Sequence, residues 1–123
     1  MSEWIKLKDV CVINYGKSPN GFIRLGASIP IVGTGGVERY ADDYVYNGES
    51  IILGRKGTLN NPIFISGKFW PIDTTFYLSD FKDINVKYLY YYLLTARLEN
   101  LNESTGVPRV SRDSLYGVSI LCN

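Results

Sequence analysis

The chain has 123 residues, a formal net charge of +1, 46% hydrophobic residues, two cysteines and no histidine, which fits one domain long enough to bury a core. It shows no apolar run of membrane-spanning length and no signal peptide, so we expect a cytoplasmic protein without a membrane partner. The commonest general base is missing, and Cys11 and Cys122 are too far apart in sequence for a usual metal site; neither a metal nor a cofactor is expected.

The first half of the chain predicts short strands separated by turns. Residues 4–13 indicate a strand, or a short helix leading into one, and residues 16–21 have the composition of a loop. Residues 29–32 predict a short buried strand. Asn47-Gly48 is typical of a tight hairpin turn between strands at residues 44–46 and 50–53. Further strands are predicted at residues 63–65 and 74–78, with breaks at Ser66-Gly67 and Trp70-Pro71.

The second half contains one convincing helix, because apolar residues recur at helical spacing over residues 86–101 after Asn85, a plausible N-cap. We expect Leu89, Leu93 and Leu94 to be buried and Lys87 and Glu99 to be exposed. The tyrosines of residues 88–92 are interpreted as core packing with hydroxyls reaching the surface, in preference to a base-stacking platform.

The C-terminal part predicts an extended stretch at residues 107–110, one capped helical turn at residues 111–115 and a last strand at residues 118–121. This strand could pair as an exposed edge, which makes a homodimer one expectation. The fold class that follows is mixed α/β (α+β), a single compact domain of short strands in which a twisted sheet packs with one main helix.

Two glycine-rich turns follow β-rich runs: Gly33-Thr34-Gly35-Gly36, and then Gly54-Arg55-Lys56-Gly57-Thr58. They can be two ordinary hairpin turns, or they can present charge to an anion such as a nucleic-acid backbone. Basic residues dominate residues 10–37 and 50–72, while acidic residues gather elsewhere, which permits a basic face. Both interpretations of the turns remain open at this point.

Motifs of catalysis are incomplete. Gly16-Lys17-Ser18 lacks the earlier glycine of a phosphate loop, and Gly33 and Gly35 lack the third glycine of a dinucleotide fingerprint. Residues 61–64, Asn-Pro-Ile-Phe, lack the second proline of the amino-methyltransferase motif. We therefore expect no catalytic residues.

Six segments resemble, in order and spacing, the target recognition domains of type I restriction-modification specificity subunits. They lie at residues 4–10, 29–37, 49–58, 69–77, 88–94 and 106–112. The resemblance implies an α/β domain that reads one half of a split duplex-DNA site. It also implies a non-catalytic role beside a methyltransferase subunit that modifies adenine and a motor-nuclease subunit that cuts.

A full specificity subunit of this family has two recognition domains and two long helices that separate them and dock the methyltransferase subunits. The sequence ends at residues 121–123, about where such a helix would begin, so we expect residues 1–123 to be a single DNA target recognition domain, one half of a subunit. Its assembly with a methyltransferase subunit is left open by the missing helix.

The candidate DNA-binding residues lie mainly on the predicted loops. Candidates for phosphate contacts, which position the protein on DNA, are the cations Lys17, Arg24, Arg55, Lys56, Lys68, Arg109 and Arg112. Candidates for base contacts are Ser18, Asn20, Thr34, Arg39, Thr58, Asn60 and Asn61. Two other functions compete with DNA reading. One is a protein-interaction module that binds or blocks restriction-modification subunits or homodimerises, and the other is a domain of a larger DNA-modifying enzyme.

Overall fold

The structure, a computed structural model, describes residues 2–122. Within that range the chain forms strands, two α-helices and two short 3₁₀ segments, Leu7–Asp9 and Leu98–Leu101. The helices are α1 (Val86–Thr95) and α2 (Arg112–Tyr116). The strands are β1 (Glu3–Lys6), β2 (Val12–Tyr15), β3 (Ile29–Gly33), β4 (Gly36–Ala41), β5 (Tyr46–Asn47), β6 (Ser50–Gly54), β7 (Ile63–Ile65), β8 (Lys68–Pro71), β9 (Thr75–Ser79) and β10 (Ser119–Cys122). The mixed α/β class with one main helix is confirmed.

The strands form three sheets. One four-stranded antiparallel sheet has the order β2-β9-β6-β7, and a second has the order β4-β3-β8-β5, in which β3 and β8 run parallel. A two-stranded sheet joins β1 to β10 at opposite ends of the chain. In the first sheet Tyr15 lies opposite Phe76 and Gly54 opposite Thr75, so β2 and β6 end where β9 begins.

The main core lies between the first sheet and the helices. Leu89 and Leu93 of α1 are fully buried in it, as the helical spacing predicts, and Lys87 and Glu99 are exposed. The prediction that Leu94 is buried is wrong: it is 43% exposed, because it lies about 100° around the helix from Leu93. Within residues 2–122 no helix is long and apolar enough to cross a membrane.

The main helix is shorter than its sequence pattern predicts. Asn85 is its N-cap, as expected, and the side chain accepts a hydrogen bond from the Tyr88 backbone N–H. The helix ends at Thr95, however, because Arg97 has a left-handed backbone (φ 54°) that no α-helix continues. A separate 3₁₀ segment then places Leu98 in the core. The apolar spacing over residues 86–101 therefore covers two elements.

The predicted hairpin at Asn47-Gly48 is wrong. β5 pairs with β8 of the second sheet, whereas β6 pairs with β7 and β9 of the first, so these residues connect two sheets. β6 is buried along its whole length and takes partners on both edges, which a simple hairpin with β5 would not give. Gly48 instead donates its backbone N–H to the Gly67 carbonyl oxygen at 3.0 Å.

Two strands have no counterpart in the prediction. β4 is mostly exposed and carries adjacent charges at Glu38 and Arg39, so it lacks an apolar pattern. β8 includes Trp70 and Pro71, where the sequence predicted a break between strands, and the strand ends at Pro71. The strand predicted at residues 118–121 is found as β10, and the capped turn predicted at residues 111–115 is found as α2.

The outer edge of β10 is already occupied. Carbonyls alternate between the two edges of a strand, and the Val118 carbonyl accepts from Leu7 on the β1 side, so the Ser119 and Leu121 carbonyls face away from β1. These two accept hydrogen bonds from the hydroxyls of Tyr92 and Tyr88 of α1. The outer carbonyls offered by this edge for homodimer pairing are therefore taken by tyrosine hydroxyls. Tyr90 and Tyr92 pack against the core as interpreted, whereas Tyr88 and Tyr91 are 41% and 62% exposed.

Candidate nucleic-acid interface

Both four-stranded sheets end on one side of the molecule, where several loops are joined by backbone hydrogen bonds. We call this surface the loop face; it comprises residues 15–18, 33–36, 54–61, 71–75 and 106–112. The Gly16 N–H donates to the Thr75 carbonyl at 3.0 Å, and the Ile72 N–H donates to the Val32 carbonyl at 3.0 Å. Each of these bonds stays within one sheet. The Lys17 N–H, which donates to the Pro71 carbonyl at 2.9 Å, connects the loop after β2 to the end of β8 in the second sheet.

The first glycine-rich turn is an ordinary hairpin, since Gly33 lies opposite Gly36 where β3 turns into β4. The second is not a hairpin turn. Its residues 55–57 instead pair with residues 108–110: the Gly57 N–H donates to Pro108 at 2.8 Å, and the Val110 N–H donates to Arg55 at 3.0 Å. The two glycine-rich segments therefore have different structural roles.

A side chain joins the two glycine-rich segments. The Asn61 amide Nδ2 donates to the Thr34 carbonyl oxygen at 2.9 Å, which holds the hairpin turn against the longer loop. The longer loop itself folds back tightly on its start. A Cβ added to Gly54 would lie 2.1 Å from the Thr58 carbonyl oxygen, so only glycine fits there. The two segments singled out from the sequence thus form one surface.

Four of the predicted cations converge on a cleft of about 250 Å³ in the loop face. Its lining includes Tyr15 together with the side chains of Arg55, Lys56, Arg109 and Arg112, and we call these five residues the basic cleft. The guanidinium carbons of Arg55 and Arg112 lie 5.1 and 4.8 Å from the centre of the Tyr15 ring. Arg112 is the first residue of α2. The N-cap of this helix is Ser111, whose hydroxyl accepts a hydrogen bond from the Ser114 N–H at 3.1 Å.

The positive charge of the basic cleft is only partly balanced. Arg55 donates to the backbone carbonyl of Asp73 at 3.0 Å, and Arg112 donates to that of Ile13 at 3.5 Å, so neither forms an ion pair there. Among the lining residues Glu103 is the acidic one. The Ser111 backbone N–H, followed by the Ser114 hydroxyl, lowers the pKa of Glu103 by hydrogen bonding to its carboxylate. Four cations therefore face one engaged carboxylate.

Other predicted residues also lie on or beside the loop face. Lys17 is exposed and its backbone is anchored there, since its N–H donates to Pro71 and its carbonyl accepts from Trp70 Nε1, both at 2.9 Å. Ser18 follows directly, and its hydroxyl accepts the Asn20 N–H at 3.4 Å. Thr58 and Asn60 are exposed on the loop that carries the basic cleft.

Three predicted residues lie apart from the basic cleft. Arg24 forms a salt bridge of 3.2 Å with Asp42, and both side chains are about half exposed. Arg39 lies with it along a shallow groove on β4. Lys68 begins β8, at the opposite end of that strand from the loop face, and its Nζ lies 5.1 Å from the Tyr44 ring centre. The structure does not bring these three together with the four converging cations.

Tyr15 and Glu103 belong to this site and were missed in the sequence. Tyr15 lies at the end of β2, where Ile13 points into the core and Tyr15 is 46% exposed. The aromatic residue directly before Gly16-Lys17 was a signal for it. No sequence signal pairs it with Arg112, because that contact depends on the register of the sheets and on α2. Within residues 2–122 there is no group of three metal-ligating side chains.

Comparisons with known proteins agree with each other. The sequence model described as the type I restriction modification DNA specificity domain matches residues 1–120. S.HindORF215P of Haemophilus influenzae, named as a candidate type I restriction enzyme specificity subunit, is 25% identical over 97 residues, which cover 74% of this chain and 25% of that protein. The chain thus spans about a quarter of the length of that curated relative.

Solved structures share the fold. The type I restriction-modification S subunit from M. genitalium matches 99% of this chain with a TM-score of 0.86 at 15% identity, and the match covers 34% of that chain. The HsdS subunit from Thermoanaerobacter tengcongensis matches 98% of this chain with a TM-score of 0.75, also at 15% identity, and 32% of that chain is covered. In each case the chain superposes on about a third of the larger protein.

Proposed function

Because the chain belongs to the type I restriction modification DNA specificity domain family, we propose that it binds duplex DNA in a sequence-specific manner and reads one half of a split site. Specificity subunits of type I systems are non-catalytic, and this chain is a specificity component. The observation that carries the proposal is the basic cleft, on which four cations converge, with the exposed side chains of Thr58 and Asn60 on the same loop as Arg55 and Lys56.

Phosphate contacts are assigned to the four cations of the basic cleft. A phosphodiester accepts hydrogen bonds from guanidinium and ammonium groups, and such contacts fix register and orientation without reading sequence. Lys17, anchored by its backbone on the same face, is a fifth candidate. Arg24 and Lys68 are weaker candidates, because Arg24 is paired with Asp42 and Lys68 lies toward the other end of β8.

Base contacts are assigned first to Thr58 and Asn60, which are exposed and line a neighbouring cleft together with Gly57 and Pro108. An asparagine reads adenine through both its amide nitrogen and its amide oxygen. Asn61 uses one of its two amide N–H donors on the Thr34 carbonyl, so we assign it first to holding the turn. Ser18, Asn20, Thr34 and Arg39 remain as further candidates for contacts to base edges.

We propose double-stranded DNA and a methyltransferase subunit of a type I system as the partners. The second follows from the family and from a structural relative described in terms of complex assembly of the type I system, which superposes with a TM-score of 0.77 over 98% of this chain at 16% identity. A protein-interaction role without DNA binding is the competing function, and the binding experiment below separates the two.

The test is a titration of a labelled random-sequence duplex with purified protein at several salt concentrations, followed by fluorescence anisotropy. The variant Arg55→Ala/Lys56→Ala is compared with Lys8→Ala/Lys82→Ala, which removes the same charge at the opposite end of the first sheet. Removal of one cation that binds a phosphate should lower the slope of log affinity against log salt by about 0.9. The first variant removes two assigned cations and should therefore lower the slope by about 1.8, whereas the second should leave the slope unchanged. Equal slopes for the two variants, or no binding by the unmodified chain, would contradict the proposal.

A further inference from the structure

We propose that Tyr15, Arg55 and Arg112 form a clamp for a phosphodiester group of the DNA backbone, in which Tyr15 is the positioning residue. The inference rests on the proposed function and deepens it, because it assigns one ligand chemistry to one part of the basic cleft. The three residues come from the end of β2, the loop after β6 and the start of α2. Only the tertiary fold brings them together.

The geometry of the clamp centres on the tyrosine ring. Each guanidinium carbon lies about 5 Å from the ring centre, at 5.1 Å for Arg55 and 4.8 Å for Arg112, which is within cation–π range. The ring itself is held from below, since its centre lies 5.2 Å from that of Phe76, which is fully buried. A fixed ring therefore restrains two guanidinium groups that line the same cleft.

The two arginines are held by groups that leave their charge intact. The backbone carbonyls of Asp73 and Ile13 accept from them, and the salt bridge found within residues 2–122 lies elsewhere, between Arg24 and Asp42. Glu103, in the same cleft, has its carboxylate engaged by Ser111 and Ser114. The two like charges line one cleft and repel each other, and an anion bound in that cleft relieves the repulsion. A phosphodiester matches the planar donor fork of arginine.

The role of Tyr15 is to reduce the cost of ordering the arginines. A free arginine side chain loses considerable rotamer entropy when it is immobilised on a ligand. Stacking on Tyr15 and hydrogen bonding to carbonyls restrict both side chains before DNA arrives. The ring is needed for this and the hydroxyl is not, because no hydrogen bond of the Tyr15 hydroxyl is found in the part of the chain that the structure describes.

The experiment compares Tyr15→Phe, which keeps the ring, with Tyr15→Leu, which removes it, in duplex titrations at fixed salt. Tyr15→Phe should bind within about twofold of the unmodified chain. Tyr15→Leu should bind roughly tenfold more weakly, as expected when two arginine side chains must be ordered on binding. Tyr15→Leu is then combined with Arg55→Ala/Arg112→Ala. In that background the loss of the ring should change affinity by less than about twofold, because its partners are gone.

A general loss of structure would give a different pattern. Tyr15→Leu would then weaken binding by the same factor with and without the arginines, and that additivity would overturn the clamp. Equal affinity of Tyr15→Leu and the unmodified chain would overturn it as well, while the proposed function would stand. If the unmodified chain binds no duplex at all, the proposed function fails and the clamp fails with it.

Discussion

Gly54 offers a test of the loop geometry that needs no ligand. A methyl group at this position would lie 2.1 Å from the Thr58 carbonyl oxygen and 3.2 Å from the Leu59 Cα, and both neighbours are backbone. A rigid backbone cannot give way as a flexible side chain does, so the loop must shift in Gly54→Ala. Overpacking of this kind costs about 1–3 kcal/mol. For a domain of this size we expect Tm to fall by roughly 5–15 °C.

The matched control for Gly54→Ala is Gly35→Ala, on the first glycine-rich turn. A Cβ added to Gly35 meets no heavy atom within 4 Å. The free energy of unfolding of this variant should therefore lie within about 0.5 kcal/mol of that of the unmodified chain. Thermal unfolding followed by circular dichroism measures both variants. The reasoning would be refuted if Gly54→Ala had the same Tm as Gly35→Ala and the unmodified chain, because the close approach of the Thr58 carbonyl to residue 54 would then be absent.

Three further predictions concern the core, the acidic residue of the cleft and the capped strand. Leu89→Ala should lower the free energy of unfolding by about 2–5 kcal/mol and Leu94→Ala by less than about 0.5 kcal/mol in urea titrations; similar losses would mean that the helix is rotated. The lowered pKa of Glu103 stabilises the fold above its ordinary value of 4.5, and this contribution is lost as pH falls through the lowered value. The urea midpoint of Glu103→Gln should therefore decrease less than that of the unmodified chain when the pH falls from 7 to below 4. Sedimentation of Ser119→Pro should give the same mass as the unmodified chain at every concentration, since the outer edge of β10 is capped; a mass that falls with this substitution would restore the edge as a dimer seam.

Much of the fold follows from local patterns in the sequence. The helix start at Asn85 and the capped turn at Ser111 were predictable, because each depends on a side chain that accepts from a backbone N–H three residues later. The strand at residues 63–65 was predictable from its apolar β-branched residues. These elements carry their own signals within a few residues.

The pairing of strands was not predictable in the same way. Asn47-Gly48 has the composition of a hairpin turn, yet β6 gains more by burying both faces and pairing on both edges within the first sheet. Tertiary burial outweighs turn propensity here. β8 was missed because its pairing with β3 is parallel and distant in sequence, and no local pattern reports such a contact.

The candidate site shows the same division. Arg55, Lys56, Arg109 and Arg112 were all identified from composition and from the resemblance, but their convergence depends on the bridge between residues 56 and 109. Tyr15 was missed because its role arises only where β2 ends beside α2. Arg24 was also a candidate for a phosphate contact, but the fold pairs it with Asp42, which its sequence position did not indicate. A sequence identifies cations, while the structure decides which of them are grouped and which are paired.

Selection from a random duplex library tests the central claim most directly. Purified protein is incubated with the library, bound duplexes are recovered and amplified over several rounds, and the enriched sequences are compared with those recovered by Arg55→Ala/Lys56→Ala. We predict that the unmodified chain enriches one short motif of a few base pairs and that the variant recovers little DNA. Bound duplexes without any enriched motif would contradict sequence-specific reading, and recovery of no duplex would contradict DNA binding itself.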